Sequence, residues 1–108
     1  MRIEDIDEIR KDQEKVAEYF GIYPQLEQTI EECAELIVAI RKYLRHRGSN
    51  NAENLEEEIA DVWNMLYQIT YLLGNQEKIH EWLKNKVDRT INRIRTMESE
   101  VSKDNDQP

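Results

Sequence analysis

Two stretches of this 108-residue chain carry apolar residues at a spacing that leaves little choice of conformation. Leu26, Ile30, Cys33, Ile37, Ile40 and Leu44 are separated alternately by four and three positions, and Leu55, Ile59, Val62, Leu66, Ile69 and Leu73 repeat the pattern. On an α-helix each set forms a stripe along one face, whereas on a strand each would scatter over both faces. Three glycines and two prolines leave few places to turn, so the composition also describes a helical chain rather than a sheet. The fold expected is all-α: one domain over residues 1 to 100, built as a bundle of about four helices.

The punctuation between stripes divides the chain. A first amphipathic helix is predicted from about Ile3 to Phe20, with Ile6, Ile9, Val16, Tyr19 and Phe20 on its apolar side and Gly21 as its stop. Pro24 suits the first turn of a second helix, which needs no amide donor there. That helix is expected to reach about His46, with Gly48-Ser49-Asn50-Asn51 as the break. A third is predicted from Asn54, a good cap with Glu57 three residues on, to Gly74. Asn75 then caps a fourth, carrying Ile79, Leu83, Val87, Ile94 and Met97, which ends near Glu100. The polar residues 101 to 108 are predicted to be disordered.

Charge and cysteine usage exclude whole classes of function. Fifteen Lys and Arg against 23 Asp and Glu give a formal net charge of −8, the wrong sign for a phosphate-backbone binder, so no nucleic-acid partner is expected. No apolar run approaches the roughly 20 residues of a membrane span. The acidic N-terminal stretch has neither a secretory nor a transit pattern, and the single cysteine, Cys33, fits a reducing, cytoplasmic setting. Cys33 lies on the apolar stripe and reads as a small buried residue. A domain of this size gains stability by self-association, so a homodimer or homotetramer is expected.

Against this background two short acidic motifs stand out, Glu31-Glu32-Cys33-Ala34-Glu35 and Glu57-Glu58-Ile59-Ala60-Asp61. Glu32 with Glu35, and Glu58 with Asp61, project from one face of their helices about a turn apart. Glu58 falls between Val62 and Met65, close to the centre of an apolar stripe; Glu32 lies on a flank with Leu36, Ala39 and Tyr43, and Glu35 and Asp61 sit at the rims. A carboxylate in such a place must be paired, protonated or bound to a metal. Solvated acids, or partners of nearby Lys and Arg, are the plainer alternative, but cations are scarce on these flanks. Carboxylates without neighbouring cysteine or histidine favour a hard cation, Mg²⁺ or Mn²⁺, that also binds substrate phosphates. A di-iron bundle would want two Glu-x-x-His units, and only Glu77-Lys78-Ile79-His80 is present.

These residues resemble the signature of the all-α nucleoside triphosphate pyrophosphohydrolases of the MazG type: Glu-Glu-x-x-Glu, a helix-loop-helix spacer, then Glu-x-x-Asp. Here it reads Glu31 to Glu35, twenty-two intervening residues, then Glu58 to Asp61, followed by Val62. The resemblance spans about residues 22 to 95. It implies cleavage of a nucleoside triphosphate between the α and β phosphates, yielding the monophosphate and pyrophosphate, in the service of removing unwanted nucleotides. By position it makes Glu32, Glu35, Glu58 and Asp61 ligands of Mg²⁺, with Mn²⁺ as a substitute, and Glu31 a group behind the ligands or a base that orients water.

Substrate contacts are expected from further residues. Trp82, Lys86, Arg89 and Arg93 share a flank of the fourth helix, where the cations suit phosphates and the indole suits a base. The family's lysine followed four residues on by asparagine is not reproduced, since Lys86 is followed by Thr90 and Asn92 comes two residues later. Gln25 and Gln28 lie upstream on the Glu32 side of the second helix, and Asn64 one turn after Asp61. Trp63 and Tyr67 are expected to pack in the core or an interface. The reading from a different class is a non-catalytic acidic helical module, whose stripes serve interaction or oligomerisation.

Overall fold

The computed structural model describes residues 2 to 106 and is all-α, with four helices: α1 (Ile3–Phe20), α2 (Ile22–Arg45), α3 (Ser49–Leu73) and α4 (Gln76–Asp106). They fall into two compact units, one ending at Gly74 and the other beginning at Asn75.

In the first unit α2 and α3 pack most extensively on each other, and α1 lies against both. Gly21 alone separates α1 from α2; it has φ +85°, a region favouring glycine, and its amide donates to the Ala17 carbonyl. Gly74 ends α3 in the left-handed conformation, with its amide donating to Thr70 and Tyr71. Both glycines stop helices where the sequence predicts. Between α2 and α3, however, the turn is shorter than the run from Gly48 to Asn51 suggests. Gly48 is the extended cap residue, and Ser49, Asn50 and Asn51 are already helical, so α3 begins five residues before Asn54. The Asn51 side chain donates to the His46 carbonyl at 2.8 Å, satisfying an end of α2 that would otherwise face water. α2 likewise opens at Ile22, two residues ahead of Pro24.

The core corrects the stripe prediction. Ala17, Ala39, Val62 and Met65 are buried, together with Gln25, Thr29 and Gln68. On α2 the buried face is therefore the flank holding Gln25, Thr29, Glu32, Leu36 and Ala39. That face is rotated roughly 100° from the apolar stripe, at 100° per residue. Ile30 is 70% exposed and Ile37 61% exposed, and Ile40, Leu44 and Cys33 are exposed too. Cys33 is thus a surface thiol and not a core residue. Trp63 is also exposed, while the Tyr67 ring lies under the Arg10 guanidinium, 5.4 Å from the ring centroid. Small side chains allow α2 to approach closely and polar ones seam it to α3, so the large apolar residues are left for another surface.

The second unit is the single helix α4. It follows Asn75 as predicted and continues through Asp106, beyond the predicted end near Glu100; residues 107 and 108 lie outside the described residues. Its apolar residues Ile79, Leu83, Val87, Ile94 and Met97 are exposed, and Lys84 pairs with Asp88 one turn on at 2.7 Å.

Candidate metal centre

Adjacent helices joined by the short turn at His46–Gly48 run antiparallel, so the start of α2 meets the end of α3. Gln25 reaches Gln68 at one end of this seam, and Asn51 reaches Lys42 and His46 at the other. The two acidic motifs lie between these ends and are brought face to face. Glu32, Glu35, Glu58 and Asp61 each offer one carboxylate oxygen to a group in which all four atoms lie within 4.8 Å of one another. Glu32 and Glu58 are half-buried, whereas Glu35 and Asp61 are exposed at the rims.

This cluster has no balancing cation in contact with it: the ion pair formed among the described residues joins Lys84 and Asp88. Within it, Oε2 of Glu32 and Oε2 of Glu58 are buried without a hydrogen-bond partner. Partial desolvation pushes the Asp61 carboxyl above its ordinary range, and the neighbouring Glu32 carboxylate pushes it further. Four convergent carboxylates, two with buried and unsatisfied oxygens, are a poor arrangement for a protein left to itself. They fit a divalent cation with an all-oxygen ligand set, so an acidic cluster capable of coordinating a metal is present.

Of the three amides expected as substrate contacts, Gln28 touches the cluster, and Gln25 and Asn64 belong to a hydrogen-bonded chain along the same seam. Gln28 donates to Oε1 of Glu32 at 2.8 Å, so the orientation of that carboxylate is held from behind while Oε2 stays unpartnered. Gln25, 6% exposed, donates at 2.6 Å to Gln68, which in turn donates to Asn64 at 2.9 Å. Asn64 also accepts from Gln13 of α1. Glu31 is exposed. Trp82, Lys86, Arg89 and Arg93 all lie on α4, exposed within the second unit.

Two residues beside the cluster escape a reading of the sequence alone. Lys42 and Asn54 line a cavity of about 290 Å³ together with Glu35 and Glu58. Asn54 stands one turn before Glu58 on α3, a spacing visible in the sequence but masked there by its suitability as a helix cap. Lys42 stands seven residues after Glu35 and reads as one of several cations near a helix end.

A family model described as the MazG nucleotide pyrophosphohydrolase domain matches residues 24–100, more than half of the chain and inclusive of both acidic motifs. No curated protein and no solved structure matches it significantly. With four acids converging between two antiparallel helices inside the matched region, the chain belongs to the MazG nucleotide pyrophosphohydrolase family.

Proposed function

We propose that the protein is a Mg²⁺-dependent nucleoside triphosphate pyrophosphohydrolase that cleaves between the α and β phosphates and clears unwanted nucleotides. The observation that carries this reading is the convergence of Glu32, Glu35, Glu58 and Asp61 on a common space of ligand dimensions. Those four carboxylates would hold Mg²⁺ or Mn²⁺, which when bound supplies positive charge to the phosphate oxygens and lowers the pKa of a coordinated water. Gln28 keeps Glu32 turned toward the cluster. Water forms the new bond to the α-phosphorus, and the bridging oxygen leaves with pyrophosphate. Glu31, exposed one residue before Glu32, takes the proton of the attacking water in this reading. Lys86, Arg89, Arg93, Trp82, Gln25, Gln28 and Asn64 remain proposed substrate contacts.

The protein acts as a homodimer or homotetramer, supported by the exposed apolar stripe of α2. A cytoplasmic setting suits its free, exposed cysteine, and no helix among the described residues is long and apolar enough to cross a membrane.

The test is a nucleotide panel incubated with and without Mg²⁺, its products separated by ion-exchange chromatography. Monophosphate and pyrophosphate in equal amounts are expected, with chelation abolishing both. Glu58→Gln should lower kcat/KM by more than about a hundredfold, because a ligand matters more than the outer partners whose loss costs about 10–100-fold. Orthophosphate released from the γ position would contradict the bond assigned. Complete inactivity toward every nucleotide would favour the non-catalytic interaction module.

A further inference from the structure

Two cavities flank the acid cluster along α2, and their charges differ. The cavity on the N-terminal side, about 450 Å³, is lined by Phe20, Pro24, Gln28, Glu27 and Glu31 among others, and no cation lines it. Its Gln28 is the residue that donates to Glu32, so this cavity borders the cluster directly. The cavity on the C-terminal side, about 290 Å³, includes Glu35 and Glu58 themselves and is lined further by Val38, Asn54 and Lys42. Lys42 makes no ion pair among the described residues. Its ammonium is therefore uncommitted.

We propose that Lys42 binds the terminal phosphates of the substrate, so that the triphosphate lies along α2 with its phosphates toward Lys42 and its nucleoside toward Phe20. This assignment rests on the pyrophosphohydrolase reading and gives it a direction. In an in-line displacement the attacking and leaving oxygens lie on opposite sides of the phosphorus, so the pyrophosphate needs a place of its own beside the metal. Charge decides which cavity that is. Glu27 and Glu31 repel a leaving group with several negative charges, and no cation in their cavity offsets them. Lys42 provides a charge-assisted donor for it, and Asn54 a neutral one. The exposed Phe20 ring, by contrast, offers an apolar face for stacking a base. Lys42 also stands in the last turn of α2, where a cation complements the helix dipole. Arg45 shares that role, and it is indifferent to how many phosphates a ligand carries.

The difference is measurable by calorimetric titration of the full-length protein, in Mg²⁺, with inorganic pyrophosphate and separately with the nucleoside monophosphate product. Lys42→Gln is expected to weaken pyrophosphate roughly tenfold or more, the scale of one charge-assisted hydrogen bond, and to leave the monophosphate unchanged. Lys42→Arg should retain most of the pyrophosphate affinity, and Phe20→Ala should weaken the monophosphate alone. Both positions are exposed, and circular dichroism melts of the substituted proteins establish that they fold. Unchanged pyrophosphate binding in Lys42→Gln, equal weakening of both ligands, or loss of pyrophosphate binding in Phe20→Ala overturns the orientation. A wild-type protein that yields no monophosphate and pyrophosphate from any nucleotide defeats the pyrophosphohydrolase reading itself. Turnover by the wild type with any of the overturning binding results defeats only the orientation.

Discussion

Asp61 is where ionisation of the cluster and the proposed metal binding would be coupled. Its carboxyl is held above the ordinary range by partial desolvation and by Glu32, so in the metal-free protein it keeps its proton to higher pH than in the unfolded chain. A raised carboxyl pKa contributes stability that is complete below the unfolded value and is lost as pH rises through the folded one. Asp61→Asn removes the charge and keeps the shape. In the absence of metal it should raise the melting temperature at pH 7, by a margin that solvent screening of this exposed group keeps small, and the advantage should shrink as the pH falls toward 4. Mg²⁺ should reverse the ranking. A bound ligand at a hundredfold excess over its Kd stabilises the wild type by about 2.7 kcal/mol, and the substituted protein should gain little of this. Thermal melts with Mg²⁺ and with chelator at several pH values decide it; a substituted protein less stable than wild type in chelator at pH 7 would contradict the electrostatic account. The sequence carried the identity of all four acids and the anomaly of Glu58. Convergence of the second pair on the first depends on how α2 and α3 face each other, which their separate periodicities do not contain.

At the scale of elements, the seam between α2 and α3 is polar where a bundle of this size would ordinarily be apolar. Gln68, 1% exposed, accepts from Gln25 and donates to Asn64, and Asn64 also ties in Gln13 of α1, so amides link all three helices. Such bonds have strict geometry and fix the helices in one register, which keeps the carboxylates of the two motifs opposite each other. Gln68→Leu should destabilise the protein by about 1–3 kcal/mol in urea unfolding, because the buried Gln25 amide loses its acceptor. Adding Gln25→Leu should recover most of that loss, since replacing both partners leaves no unsatisfied group. Equal and additive losses from the two substitutions would mean that the amides do not act as a pair. Helix existence and the two glycine stops were legible in the sequence because they are local properties. The start of α3 was not, because Asn51 serves the end of α2 through a side-chain bond that no capping pattern within α3 announces.

Across the whole molecule, the apolar stripes of α2 and α4 are left exposed, and the α2 stripe is the one that belongs to the unit holding the acid cluster. Ile30, Ile37, Ile40 and Leu44 are exposed along one face, with Cys33 among them, and Trp63 of α3 is exposed as well. The proposed second copy would cover this face and add to the buried apolar residues of the first unit, which among the described residues are Ala17, Ala39, Val62 and Met65. Under the proposed self-association, Ile37→Glu should yield a monomer in sedimentation velocity; an unchanged sedimentation coefficient would assign the stripe another role. By itself the sequence determined that the chain is helical, where two of its helices end, that it is acidic, and which carboxylates are candidates for a metal. These follow from periodicity, from glycine's access to positive φ and from the residue types themselves. Only the tertiary structure decided which face of α2 is buried, because small and hydrogen-bonding side chains allow closer packing against α3 than the branched apolar stripe. That choice turned the stripe outward and brought Glu32, Glu35, Glu58 and Asp61 within reach of one ion.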